Sequence, residues 1–300
     1  MKLKHYIDSF RLRTLPLSVA GIMLGSFYAT AAGCYRPMVF VLALLTTLSL
    51  QILSNISNEV GDLEKGTDNE QRLGPIRSVQ RGDLTVQNLK NAMKLFVTLT
   101  ILTGISLVWA AFGTLLSAQS ITMLVMGALA IVASIKYTFG KKAYGYVGLG
   151  DFFVFVFFGL VSTMGVYFVA TGELPLLLIL PASAIGMLST GVLNVNNMRD
   201  IENDTEFKKR TMAVRMGAGR IKMYHYFLVT GALVLTTVYT IVQNSGVSGY
   251  LFLLTIPVFF FHLLQVWKNN GRALDSQLKV LSLCTFLFSF LAGLGSLLTQ

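Results

Sequence analysis

The sequence predicts an all-α polytopic membrane protein, and two observations carry that prediction. Of its 300 residues, 54% are hydrophobic and only 13% are charged, whereas a soluble domain carries about 25% charged residues; mean hydropathy is +0.65. Continuous apolar stretches, each near the ~20 residues that cross a bilayer, recur along the whole chain. Nine are expected, near residues 14–33, 38–57, 92–111, 118–137, 150–171, 175–195, 223–243, 249–267 and 278–298. They are continuous rather than alternating, which excludes a β-barrel.

Residues 1–13 carry Lys2, Lys4, Arg11 and Arg13, with Tyr6, Ile7 and Phe10 between them. This reads as a short amphipathic segment on the inner membrane surface. The first apolar stretch is too long for a signal-peptide core and lacks an Ala-x-Ala site, so it is expected to be retained. Its Gly21-x-x-x-Gly25 pattern suits close helix packing. With the N-terminus inside and nine spans, Arg36 is the one basic residue on an outer segment; every other Lys and Arg of the 24 falls inside. That asymmetry is the positive-inside signal. It explains the net charge of +10 as topology, with no nucleic-acid partner required. Cys34 and Cys284 form no Cys-x-x-Cys pattern and read as small packing residues. His5, His225 and His262 stand alone in sequence and receive no role.

No separate soluble domain is expected; residues 1–300 read as one membrane-embedded domain. The polar residues concentrate in two inner loops, about 58–91 and 196–222. Of the 14 carboxylates, Glu59, Asp62, Glu64, Asp68, Glu70 and Asp83 fall in the first, and Asp200, Glu202, Asp204 and Glu206 in the second. Asn196, Asp200 and Asp204 follow at i, i+4 and i+8, one helical face if the sixth span continues inward. Asn55, Asn58 and Asp62 share a face at the end of the second span, before Gly66 breaks the helix and Asp68 follows. Like charges one turn apart repel, and a divalent cation between them removes the conflict. Hard oxygen donors without Cys or His suit Mg²⁺. Lys65, Arg72, Arg77 and Arg81 lie beside one cluster, and Arg199, Lys208, Lys209 and Arg210 beside the other. Carboxylates, metal and cationic side chains together make a diphosphate receptor.

These loops resemble the UbiA superfamily of intramembrane prenyltransferases, and within it the naphthoate branch. The first reads NEVGDLEKGTD and then RLGPIRSVQRGDLT; the second reads LNVNNMRDIENDTEFKKRTMAVRMG. RLRTLP at 11–16, Tyr137-Thr138-Phe139-Gly140-Lys141 and YGYVGLGD at 144–151 extend the likeness over essentially the whole chain. Two positions depart from the pattern: Glu59 replaces the usual Asp, and Lys208 stands where the family commonly has Gly.

The resemblance implies a UbiA-like helical bundle with the two polar loops capping the active site. It implies transfer of a polyprenyl group from polyprenyl diphosphate to 1,4-dihydroxy-2-naphthoate with loss of CO₂, giving demethylmenaquinone. Asp62, Asp68, Asp200 and Asp204 would coordinate Mg²⁺, assisted by Asn58 and Asn196. Arg77, Lys141 and Lys209 would contact the diphosphate, with Arg13 and Tyr137 as further candidates. Asp151, at the inner start of the fifth span, is either a catalytic carboxylate or a helix-capping residue. Spans rich in Phe, Leu and Met would shield the allylic cation from water. Another aromatic acceptor (4-hydroxybenzoate, homogentisate or a porphyrin side chain) is the alternative inside the superfamily. A polytopic transporter is the alternative outside it, disfavoured because its charges would lie near the midplane. A bacterial cytoplasmic membrane is the expected location. We predict both polar loops inside and the C-terminus outside; a reporter fused after Gln300 that is active in the cytoplasm would refute the odd number of spans.

Overall fold

A computed structural model describes residues 3–70, 72–140 and 143–299. Among the described residues there is no strand, and nine helices are long and apolar enough to cross a membrane. Helix Leu3–Phe10 precedes the first span, Leu15–Ala31. Next come Pro37–Glu64, Val86–Phe112, Ala118–Lys136, Gly150–Thr171, Leu176–Arg199, Met212–Val242, Val247–Lys268 and Gly271–Leu297. The sixth span is the central element, with 67% of its most apolar window buried, against 11% for the third and fourth.

Two cores frame the interior. The larger joins residues from the first, second and fifth through ninth spans. The smaller joins the second and third spans, and the N-terminal helix packs Tyr6 and Phe10 against it. Phe10 meets Phe96 edge to face at 5.3 Å. That helix therefore rests on protein through these two aromatic side chains.

Small residues bring the first, fifth and sixth spans together. A Cβ on Gly21 would strike Ser162, and one on Gly25 would strike Thr163 and Val166. A Cβ on Gly159 would lie 2.5 Å from the Gly186 Cα. Gly159 belongs to a π-helical stretch, Phe155–Val161, inside the fifth span. His225 and His262, solitary in sequence, meet in space. Their Nε2 atoms are 2.9 Å apart, His225 Nδ1 is 3.1 Å from Asn194 Oδ1, and His262 Nδ1 is 2.9 Å from Gln277 Oε1. The two rings thus tie the sixth, seventh, eighth and ninth spans at a buried position. Both cysteines are free.

The two polar segments end their helices in the same way. At the second span, Gly66 adopts φ 74°, with Gly66 N–H donating to Leu63 O at 3.0 Å and Thr67 N–H to Asp62 O at 2.9 Å. After the sixth span the chain breaks helical geometry at Asp200 (φ −100°, ψ 15°) and resumes as the short helix Ile201–Glu206. There Lys208 adopts φ 55°, Lys208 N–H donates to Thr205 O at 3.2 Å, and Lys209 N–H to Asp204 O at 2.8 Å. Both are Schellman closures, which favour glycine at the left-handed position. Lys208 therefore holds a backbone position that glycine would take without strain.

Two stability predictions follow from this packing. Lys208→Gly should raise stability by about 1 kcal/mol by relieving left-handed strain. Gly159→Ala should cost about 1–3 kcal/mol through overpacking. Gly165→Ala, where a Cβ has nothing within 4 Å, serves as the control, and thermal unfolding in detergent reads all three.

Candidate active site

A cavity of about 990 Å³ lies between the two cores. One end is polar, and the rest is lined by apolar side chains of the first six spans. The apolar part runs from beside Tyr137 to Leu174, in the turn between the fifth and sixth spans, so it traverses most of the bundle. Phe153, Phe157, Phe158 and Phe168 of the fifth span lie along it, with Met123 and Met126 of the fourth.

The polar end is assembled from the ends of four spans and three connecting segments. Asn58, Asp62, Arg77, Tyr137, Asn196, Asp200, Asp204, Lys209 and Arg13, all singled out from the sequence, line it. Lys141 lies outside the described residues. The two polar segments are cross-linked. Asn69 Nδ2 donates to Asn203 Oδ1 at 3.0 Å, and Asn203 Nδ2 donates to Thr67 O at 3.0 Å. Lys209 Nζ donates to Asp62 Oδ1 at 3.3 Å and lies 3.9 Å from Asp204. Tyr146 completes the joint: its hydroxyl donates to Asp62 Oδ1 at 2.8 Å and lies 2.6 Å from Thr67 Oγ1.

Electrostatics at this end are dominated by burial and crowding. Burial pushes the Asp204 carboxyl up, to about 7, with Asp200 and Asp62 adding to the rise against the opposing Lys209. Burial opposes the charged form of Asp200 too, but Arg199, by hydrogen bond and charge, holds that carboxyl below its usual range. Burial also opposes the charged Lys209 ammonium, and Asp62 and Asp204 more than offset it, raising its pKa. At Asp204, burial thus outweighs the neighbouring cations.

Three of the residues singled out from the sequence sit less directly on the cavity than the rest. Asp68 does not line the cavity; it is buried behind the wall, where Arg77 Nε donates to Oδ2 at 3.2 Å and Arg72 Nε lies 3.1 Å from Oδ1. Its place is to aim two guanidiniums, both of which do line the cavity. Asp151 also stands off the cavity, its carboxylate turned toward Tyr224 of the seventh span. Arg13 reaches the cavity wall, but its Nη1 donates to both Asp275 oxygens at 3.1 Å.

The residue that sequence reasoning missed is Arg11. It has a left-handed backbone, φ 52° and ψ 60°, and its Nε and Nη2 are buried without a hydrogen-bond partner. It lines the same cavity as Arg72 and Arg77. Asn55 Nδ2 donates to Phe10 O at 2.8 Å, and Thr14 Oγ1 donates to Arg11 O at 3.0 Å, which brace the turn. Spacing could not reveal which of two arginines in RLRT turns inward. Glu59 uses its extra methylene to reach the loop, accepting from Ser78 Oγ and, at 3.3 Å, from Val79 N–H.

The donor set fits Mg²⁺. Asp62, Asp200, Asp204, Asn58 and Asn196 bring carboxylate and amide groups to one end of the cavity, and a cation there would favour the charged form of Asp204. Among the described residues no three carboxylate, His or Cys groups converge to chelate an ion unaided. An ion here would also draw on water and phosphate oxygens, as Mg²⁺ habitually does.

Comparison with known proteins agrees with this geometry. The chain is 44% identical over 253 residues to the 1,4-dihydroxy-2-naphthoate octaprenyltransferase of Escherichia coli, covering 84% of this chain and 82% of that protein. It is 39% identical over 301 residues to the Haemophilus influenzae protein of the same name, covering 99% and 97%. Its fold matches a UbiA homolog from Archaeoglobus fulgidus with a TM-score of 0.66 at 14% identity, over 98% of this chain and 99% of that one. The same homolog bound to GPP and Mg²⁺ matches with a TM-score of 0.59 at 14% identity, over 95% and 99%. The profile of the UbiA prenyltransferase family spans residues 18–291, and the chain belongs to that family.

Proposed function

We propose that this chain transfers a polyprenyl group from its diphosphate to 1,4-dihydroxy-2-naphthoate, releasing diphosphate and CO₂ and giving the hydroquinone demethylmenaquinol, the reduced form of demethylmenaquinone. The observation that carries the reading is the single cavity with carboxylates and cations at one end and an apolar tunnel behind them. The naphthoate acceptor is supported by the names of relatives at 44% and 39% identity.

Asp62, Asp200 and Asp204 would hold Mg²⁺, with Asn58 and Asn196 beside them. Bound there, Mg²⁺ supplies charge neutralisation for the leaving diphosphate. Lys209, Arg72, Arg77 and Arg11 line the same end, and their fixed positive charge stabilises the anion as the C–O bond to the prenyl carbon breaks. Arg77 and Arg72 are held in place by Asp68, so they need no reorganisation. Lys141 remains a proposed diphosphate contact, and Tyr137 walls the junction between polar and apolar parts. The aromatic faces of Phe153, Phe157 and Phe158 exclude water from the allylic cation and stabilise it. The ring carbon bearing the carboxylate attacks, forming the new C–C bond. Loss of CO₂ returns its bonding pair to the ring, so rearomatisation requires no base. The position of Asp151 away from the cavity is consistent with that balance.

The chain is a multi-pass membrane protein. We place the polar end, with loops 58–91 and 196–222 as its cap, on the cytoplasmic side of a bacterial inner membrane, because nearly all Lys and Arg gather there.

Asp62→Ala, Asp200→Ala and Asp204→Ala should each lower turnover by more than about 100-fold, while exposed Glu70→Ala should change it by less than about twofold. EDTA should stop the reaction and Mg²⁺ restore it; three active variants at normal membrane expression would sink the site. Carboxyl-labelled naphthoate should lose its label to CO₂ in step with prenylation. Label retained in the lipid, or exclusive use of 4-hydroxybenzoate, would reject the acceptor assignment.

A further inference from the structure

Asp275 opens the helical part of the ninth span, far in sequence from both polar loops, and does not line the cavity. It nevertheless receives two guanidiniums. Arg13 Nη1 donates to both its oxygens at 3.1 Å, and Arg199 Nη1 donates to Oδ1. The Arg199 side chain is fully buried. Its remaining nitrogens all face the sixth span: Nε donates to Asp200 Oδ1 at 2.9 Å, and Nη2 donates to Asn196 Oδ1 at 2.9 Å and to Asp200 Oδ2.

A guanidinium is planar and rigid, so anchoring one nitrogen fixes the direction of the other two. Its charge also matters. With Asp275 present, the buried cation is shared between two carboxylates. Without it, Asp200 becomes the sole counterion, and its oxygens are drawn toward Arg199 and away from the cavity.

We propose that Asp275 is a positioning residue for Asp200 and Asn196: by anchoring Arg199 and sharing its charge, it keeps those two oxygen donors available to a divalent cation. The inference rests on the metal-facing reading of Asp200 and Asn196 given above.

The test uses the purified full-length chain in lipid nanodiscs. Mn²⁺ binding without substrate is followed by electron paramagnetic resonance, and the Mg²⁺ concentration for half-maximal turnover is measured in parallel. Asp275→Asn should raise the Mn²⁺ Kd and the Mg²⁺ concentration for half-maximal turnover each by about tenfold, the size expected when a group supporting a metal ligand is lost. The KM for polyprenyl diphosphate at saturating Mg²⁺ should hold within about twofold, and Asp275→Glu should recover most of the metal affinity. Asp8→Asn removes another inner-end carboxylate paired with an arginine, Arg81 at 2.7 Å, and should leave the Mg²⁺ requirement unchanged. Arg13→Gln should act in the opposite direction, strengthening Mn²⁺ binding by about two- to threefold, because Asp275 then serves Arg199 alone. Wild-type Mn²⁺ affinity in Asp275→Asn, an equal loss in Asp8→Asn, or no gain in Arg13→Gln would each overturn the proposal. A wild-type chain that binds no Mn²⁺ and works in EDTA would instead overturn the metal reading, and this inference with it.

Discussion

Asp62, Asp200 and Asp204 crowd one end of a bundle whose interior is otherwise nearly free of charge, and water screens them poorly there. Unpaired buried carboxylates are costly, so the surrounding chain is arranged around neutralising them without saturating them. Lys209 reaches two of the three, and Arg199 forks onto Asp200. Tyr146 gives Asp62 a neutral donor rather than another charge. Burial raises the Asp204 carboxyl to about 7, and Lys209 opposes that rise without cancelling it. A site that must take up a cation and then release a polyanion cannot be fully paired within the protein.

The same constraint accounts for the polar segments. Each helix must stop one turn after its carboxylate and send the chain back across the cavity mouth. The paired Schellman closures at Gly66 and Lys208 do this, returning Thr67 and Lys209 to the carbonyls of Asp62 and Asp204. Asn69 and Asn203 then stitch the two returns together. The same closure thus follows Asn58–Asp62 at the second span and Asn196–Asp200–Asp204 at the sixth, four spans apart.

Much of this was legible because it rests on local rules. The nine apolar stretches became nine spans, and Gly150–Thr171 fell where hydropathy put it. The second span runs to Glu64, beyond its expected end near 57, because Asn58 and Asp62 face the cavity rather than lipid and the helix can continue through them. Helical spacing also found Asn196, Asp200 and Asp204, despite the backbone break at Asp200. What spacing could not supply was which partner each charge meets. Asp68 shares a loop with Asp62 yet turns the other way, onto Arg72 and Arg77. Asp151 lies in a motif-like run but behind the wall. His225 and His262 looked solitary because their contact joins the seventh and eighth spans.

Arg11 shows how this placement becomes chemistry. A left-handed non-glycine residue costs about 1–2 kcal/mol, and a buried guanidinium without a hydrogen bond at Nε and Nη2 adds a desolvation cost. The chain accepts both, bracing the turn through Asn55 and Thr14. Arg13, two residues on, already has Asp275, so the strained turn directs the one uncommitted guanidinium of the pair into the cavity. Asp68 offsets part of the charge of Arg72 and Arg77 from behind, and Arg11 adds a further positive charge to that wall. Two anions must be accommodated in the proposed reaction, the diphosphate and the naphthoate carboxylate. Arg11 and Lys209 reach the polar end of the cavity from two separate segments, the N-terminal turn and the second polar loop, so the cations there are not one sequence-local cluster.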